Sequence, residues 1–140
     1  MFAQPVPNAE HLARQPLADL FLDTLPYGAH TTASDALWAG LPVLTRRGAA
    51  FPGRVGASLL SAVGLPDLIT ANVEEYEATA IGLAREPQRL ARFRQRLAAT
   101  RSSCALFNSA AFTRHLEIAL ETMQARKREG RGPQGFDVQP

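Results

Sequence analysis

Leu20-Phe21-Leu22, Gly28-Ala29-His30-Thr31-Thr32-Ala33-Ser34-Asp35 and Ala36-Leu37-Trp38-Ala39 are, in order, an apolar run, a turn of small and hydroxyl residues, and a helix-forming run. A strand that passes through such a turn into a helix is the building unit of a parallel α/β sheet. The turn leaves the first backbone N–H groups of the helix without intrahelical acceptors, at the positive end of its dipole. Phosphate binds well at such a place. Thr31, Thr32 and Ser34 add hydroxyl donors, His30 adds a donor or a positive charge, and Asp35 can accept from a sugar hydroxyl. An ordinary N-cap needs only one Ser or Thr, so the local pattern alone favours a plain cap over a phosphate site.

Working outward, the flanking residues repeat the alternation. Asn8 to Arg14 reads as a short helix capped by Asn8, between Pro7 and Pro16. Ala18 to Asp23 reads as a buried strand, with Asp23 tying down a loop. The helix opened by the turn ends at Gly40, ahead of Pro42. Val43-Leu44-Thr45 is a second strand and Leu68-Ile69-Thr70 a third, separated by a loop from Arg46 to Gly53 and a helix from Arg54 to Val63 that Gly64 closes. Asn72 and Glu75 form a capping box for a helix running to Arg85. Pro87 opens the next at its favoured first position, with Leu90, Phe93 and Leu97 on its apolar side. A last helix from Ser109 to Arg128 is expected to bury Phe112, Leu116, Leu120 and Met123. Trp38 is expected in the core. From Gly130 on, glycine, proline and polar residues suggest a flexible tail over 129–140. About three parallel strands with five or more helices suggest part of a larger sheet, since a parallel sheet is covered on both faces.

The chain has 140 residues, 46% of them hydrophobic, enough for one modest domain with a core. Its sequence contains no run of 18 apolar residues, so no membrane span is expected. Met1-Phe2-Ala3-Gln4-Pro5 lacks the pattern of a signal peptide, which makes cytoplasm the expected compartment. A lone Cys104 excludes an intramolecular disulfide and a multi-cysteine metal site; no metal is expected. The net charge of +2 is unevenly laid out: residues 1–84 carry −4 and residues 85–131 carry +7. No aromatic residues interleave with these arginines as base-stacking platforms would, so a solvated helix face is favoured over nucleic-acid binding. Arg46, Arg47 and Arg54 read as surface residues, and His115 as packed or solvent-facing.

Leu22-Asp23-Thr24, Gly28-Ala29-His30-Thr31-Thr32, Asp35 and Leu37-Trp38-Ala39-Gly40-Leu41-Pro42-Val43-Leu44-Thr45 together resemble the catalytic region of the protein O-linked N-acetylglucosamine transferase and SPINDLY-like family, glycosyltransferase family 41. Arg54-Val55-Gly56-Ala57-Ser58, Leu68-Ile69, Glu75-Tyr76 and Leu106-Phe107-Asn108 continue the match in order. The resemblance implies a partial Rossmann-like C-terminal lobe of a GT-B glycosyltransferase, α/β in class, with residues 1–128 as the C-terminal portion of the nucleotide-sugar-binding lobe. It places diphosphate contacts on His30, Thr31 and Thr32, and a ribose contact on Asp35. It also places His11 against the uracil ring, Arg14 near the base edge, and the backbone of Val6 on the base. Asn8 departs from the lysine usual in the animal enzymes.

The implied donor is a UDP-sugar of UDP-GlcNAc type, and the implied acceptor a Ser or Thr hydroxyl of a protein. Transfer would invert the anomeric centre, with no metal and no cofactor beyond the donor. The contribution expected here is leaving-group stabilisation by His30, Thr31 and Thr32; no residue is singled out as a catalytic base. The N-terminal lobe and the tetratricopeptide-repeat polypeptide of the family are expected partners lying outside these residues, so the chain reads as a fragment or split form, inactive alone. The alternative is a non-catalytic remnant or interaction module built on the basic C-terminal helices.

Overall fold

The computed structural model describes residues 4–139; the Met1–Ala3 part of the amino-terminal stretch read for a signal peptide lies outside them. Six α-helices and three strands follow one another along the described chain. Helix α1 (Asn8–Arg14) leads through a 3-10 turn (Gln15–Leu17) to β1 (Phe21–Leu22), then α2 (Thr31–Ala39), β2 (Val43–Arg46), α3 (Val55–Ala62) and β3 (Ile69–Thr70). Helices α4 (Val73–Arg85), α5 (Pro87–Thr100) and α6 (Ser109–Arg128) complete it.

The sheet has the order β1-β2-β3 and is parallel throughout, pairing Phe21 with Val43, Leu22 with Leu44, Thr45 with Ile69 and Arg46 with Thr70. Val43 and Leu44 of the middle strand are fully buried, as a strand paired on both edges and covered on both faces should be. Around them close Ala33, Ala36 and Leu37 of α2, Leu60 of α3, Leu83 of α4, and Phe93 and Leu97 of α5. Each such leucine contributes about 1.5–3 kcal/mol of apolar burial.

Several helix ends follow the residues that mark them. Gly40 takes φ +89° and donates to the carbonyls of Ala36 and Leu37, a left-handed C-cap that any side chain would strain. The Asn72 side chain accepts from the Glu75 N–H at 2.8 Å, while the Glu75 carboxylate reaches back to the Ala71 N–H at 2.9 Å. Pro87 opens α5. Asn108 caps α6 through the Ala111 N–H.

Four expectations are corrected. The cap of α1 is Pro7, whose carbonyl takes the His11 N–H, and Asn8 is already helical; with extended backbone at Pro7, the turn starts one residue earlier than its polar side chain suggests. The first strand is two residues rather than six, since only Phe21 and Leu22 pair with β2, and Leu22 is half exposed because its face opens on a groove beside Ala80 and Ala84. Trp38 is half exposed, edge-on to Phe107 at 5.0 Å with the Arg101 guanidinium above it, so it packs at the rim. Helix α6 buries none of its residues: Phe112 is 66% exposed, and Leu116, Leu120 and Met123 are about half exposed. Its 3.6-residue apolar period is present, but these four side chains stay largely in solvent; α6 touches the 3-10 turn Ala105–Phe107, and residues 131–136 fold back beside Met123.

After α6, residues 131–139 have no regular secondary structure; Arg126 donates to the Gly132 carbonyl and to Gln134 Oε1. No described helix is long and apolar enough to cross a membrane.

Candidate functional site

The carboxyl ends of β1 and β2 open toward the amino end of α2, the edge at which α/β sheets bind ligands. The first intrahelical bond of α2 runs from the Ser34 N–H to the His30 carbonyl at 3.1 Å. The N–H groups of Thr31, Thr32 and Ala33 therefore lie ahead of the hydrogen-bond ladder. His30 occupies the cap position and no side chain caps the end, so the plain-cap reading of the hydroxyl cluster does not hold. Thr31 and Thr32 are exposed, while His30, Ser34 and Asp35 are half-buried.

Behind this mouth stands a buried carboxylate. Asp23 is 5% exposed, and its Oδ1 accepts from the Thr24 N–H at 2.8 Å and the Ala29 N–H at 2.6 Å. Its Oδ2 accepts from the Thr45 hydroxyl at 2.6 Å, across the β1–β2 pair. Hydrogen bonds to a charged group contribute about 1.5–3 kcal/mol each, so Asp23 welds the turn to the sheet. Two glycines make room for it: a Cβ on Gly56 would stand 2.7 Å from Oδ2, and one on Gly28 would stand 3.1 Å away. The Asp23 carbonyl also accepts from the Tyr76 hydroxyl at 2.8 Å. Burial, reinforced by the nearby Asp23 charge, raises the Tyr76 pKa above its ordinary 10.0.

His30 is clamped from three sides. The Tyr27 ring stacks on it at 5.2 Å between centroids, and the Phe51 ring meets it edge-on at 6.0 Å. Its Nε2 lies 3.3 Å from the Pro52 carbonyl oxygen, which also takes the Gly28 N–H at 3.1 Å. Sequence reasoning missed Phe51 and Pro52 as partners of His30. The available signal was an aromatic-Pro-Gly triplet in the loop after the second strand, which a parallel sheet brings to the same edge as the first turn.

The upstream residues assemble separately, on α1, which packs against α2. Arg14 Nη2 lies 3.0 Å from His11 Nδ1; a guanidinium only donates, so Nδ1 accepts. The Gln15 amide sits 3.1 Å from His11 Nε2, and Arg14 Nη1 donates to the Gln4 carbonyl. Val6, half-buried, precedes this helix. His11 and Arg14 are thus one hydrogen-bonded unit, not two free side chains on a helix face. Arg47 and Arg54 are exposed, and Arg46 is half-buried at the end of β2. His115 is half-buried on α6, and Cys104 is a half-buried free thiol. Among the described residues no three His, Cys, Asp or Glu side chains cluster as a metal site would require.

The model of glycosyl transferase family 41 matches residues 1–116. The chain is 36% identical over 139 residues to the probable UDP-N-acetylglucosamine–peptide N-acetylglucosaminyltransferase SEC of Arabidopsis thaliana, covering 99% of this chain and 14% of that protein. Against the SPINDLY protein of Solanum lycopersicum it is 36% identical, covering 90% of this chain and 14% of the relative. Against the corresponding Caenorhabditis elegans transferase it is 33% identical, covering 93% and 11%. Among solved structures, a mutant O-GlcNAc transferase of Thermobaculum terrenum superimposes with a TM-score of 0.81 at 40% identity, over 86% of this chain and 23% of that one.

Proposed function

The chain belongs to glycosyl transferase family 41, and we propose from that premise that the mouth of α2 grips the diphosphate of a nucleotide sugar, of UDP-N-acetylglucosamine type, whose sugar passes to a Ser or Thr hydroxyl of a protein. One observation carries the reading most: an uncapped helix terminus with three N–H groups ahead of its ladder, held to the sheet by a buried carboxylate. In the reaction the acceptor oxygen forms a bond to the anomeric carbon as the bond from that carbon to the diphosphate oxygen breaks, and the centre inverts. Negative charge grows on the leaving diphosphate. Donors fixed before the reaction begins, at the α2 terminus and on His30, Thr31 and Thr32, stabilise that charge more in the transition state than in the ground state.

Asp35, one turn into α2, accepts from the ribose. His11 lies against the base, oriented by its bond to Arg14, with Arg14 at the base edge and the Val6 backbone on the base. No metal is assigned to the site, and the cytoplasm is the compartment we assign. Because the chain spans only 14% of the plant relatives' length, transfer itself requires further polypeptide, including a second lobe and an acceptor-binding region such as tetratricopeptide repeats. Alone, the chain binds UDP weakly and transfers no sugar.

Titration of the 15N-labelled chain with UDP tests this reading. Shifts concentrated at residues 28–35 and at His11 support it, and a Thr31→Val/Thr32→Val pair weakens binding about tenfold. Shifts elsewhere, or none at millimolar UDP, overturn it. A second reading, an interaction module, is favoured by the uncovered apolar side and basic end of α6; it predicts partner binding that the threonine pair leaves unchanged.

A further inference from the structure

A carbonyl oxygen only accepts hydrogen bonds, so the contact between His30 Nε2 and the Pro52 carbonyl requires the hydrogen to sit on Nε2. The remaining ring nitrogen, Nδ1, has no partner among the described residues. Tyr27 and Phe51, packed against the ring in two different planes, oppose the ring flip that would put Cε1 in place of Nε2 and break this contact. The loop after β2 thus does more to His30 than pack beside it. Its Pro52 carbonyl is itself pinned by the Gly28 N–H, on the same turn that Asp23 anchors through Ala29.

A neutral imidazole in this tautomer presents a lone pair at Nδ1, which repels a phosphate oxygen; only a protonated Nδ1 donates to one. We propose that the Phe51–Gly53 turn is a positioning device that fixes the His30 tautomer, and that a nucleotide diphosphate is met by Nδ1 with uptake of one proton. The second half rests on the nucleotide-sugar reading above; the first half does not. The titratable and charged residues on the elements around the ring are Asp23 and Tyr27 on its own turn, Asp35 on α2, Arg46 at the end of β2, and Arg47 and Arg54 at the ends of the loop. Among the described residues neither aspartate forms an ion pair with the ring.

The direct measurement is a long-range 1H–15N spectrum of the imidazole nitrogens in the full 140-residue chain, with His30→Gln to identify the His30 signals. In the free chain at mildly alkaline pH, His30 should show the Nε2–H tautomer alone. In Tyr27→Ala/Phe51→Ala, where both lost rings are largely exposed, the tautomers should mix while the melting temperature stays within about 2 °C. Saturating UDP at neutral pH should move Nδ1 into the protonated range, with Nε2 still protonated. Calorimetric titrations in two buffers of different protonation heat, at a pH where UDP is fully ionised, should return net proton uptake on binding. An Nδ1–H tautomer in the free chain, or no mixing in the double variant, overturns the positioning role. UDP binding at residues 28–35 without protonation of Nδ1 overturns the proton uptake alone. Failure of UDP to bind overturns both the uptake and the nucleotide-sugar reading, while the free-chain spectrum still decides the tautomer.

Discussion

Gly56→Ala is the substitution that most directly probes how the site is held. In most helices this change is favourable, by up to about 1 kcal/mol. Here the new Cβ would stand 2.7 Å from Asp23 Oδ2 and 2.9 Å from Thr45 Oγ1, two atoms already joined by a buried 2.6 Å hydrogen bond. Neither is the free end of a flexible chain: Asp23 is held by two backbone N–H groups, and Thr45 is 1% exposed on the middle strand. Loss of one charge-assisted bond costs about 1.5–3 kcal/mol, and overpacking adds about 1–3 kcal/mol. Against the helix gain, the net loss is about 1.5–5 kcal/mol, or roughly 5–20 °C in melting temperature for a domain of this size. Thermal unfolding followed by circular dichroism measures it, and Gly82→Ala is the control. Gly82 lies within α4 with no atom nearer than 3.6 Å to an added Cβ, so there the same change should raise stability by about 0.5–1 kcal/mol. If Gly56→Ala melts at or above the parent temperature while Gly82→Ala behaves as stated, the Asp23–Thr45 clamp is not packed as described.

Further outcomes follow from other contacts. Tyr76→Phe should cost about 1 kcal/mol, the net worth of the bond to the Asp23 carbonyl. Because the folded-state pKa of Tyr76 lies above 10.0, its neutral phenol supports the fold fully below pH 10; that support is lost as pH rises through the raised value, and alkaline unfolding of the Phe variant should lack this step. The Arg96 hydrogen bond holds the Asp67 carboxyl below its usual 3.8, against the opposing effect of burial. Its stabilisation is present above that ordinary value and lost as pH falls through the lowered one. The pair is largely exposed, so Arg96→Gln should cost less than about 1 kcal/mol, diminished by salt, while an NMR titration shows the Asp67 pKa rising. Leu116→Ser and Leu120→Ser should each shift stability of the isolated chain by under about 0.5 kcal/mol, since both side chains are half exposed; a loss of 2 kcal/mol or more would show that α6 is covered in solution.

Where a single residue type forces the backbone, the sequence could be read closely. Gly40, Asn72 and Pro87 mark helix boundaries through local geometry. The membership of a parallel sheet was equally legible, because strand, turn and helix alternate with the right lengths. What depends on neighbours was not. Ala18 to Leu22 is apolar enough for a central strand, yet whether it is one depends on what pairs with its outer edge. The period of Phe112, Leu116, Leu120 and Met123 identifies a helix with an apolar side, not a surface that fills it. At the site, hydroxyls before a helix and an Asp23 that ties down a loop were visible, but the bond of Asp23 to Thr45 and the contacts of Phe51 and Pro52 with His30 were not. Each acts across about twenty residues, through a hydrogen bond or ring contact that leaves no local periodicity.

The middle strand is tied to segments only moderately distant along the chain: Thr45 bonds Asp23, 22 residues before it, and its carbonyl takes the Thr70 hydroxyl, 25 residues after. With strands adjacent in space in the order they are synthesised, the nascent chain can complete each pairing as soon as the next segment leaves the ribosome. The loop-closure entropy of each step stays small. The turn before α2 thus has its two sheet anchors, Asp23 and Thr45, both within the amino-terminal half of the described chain.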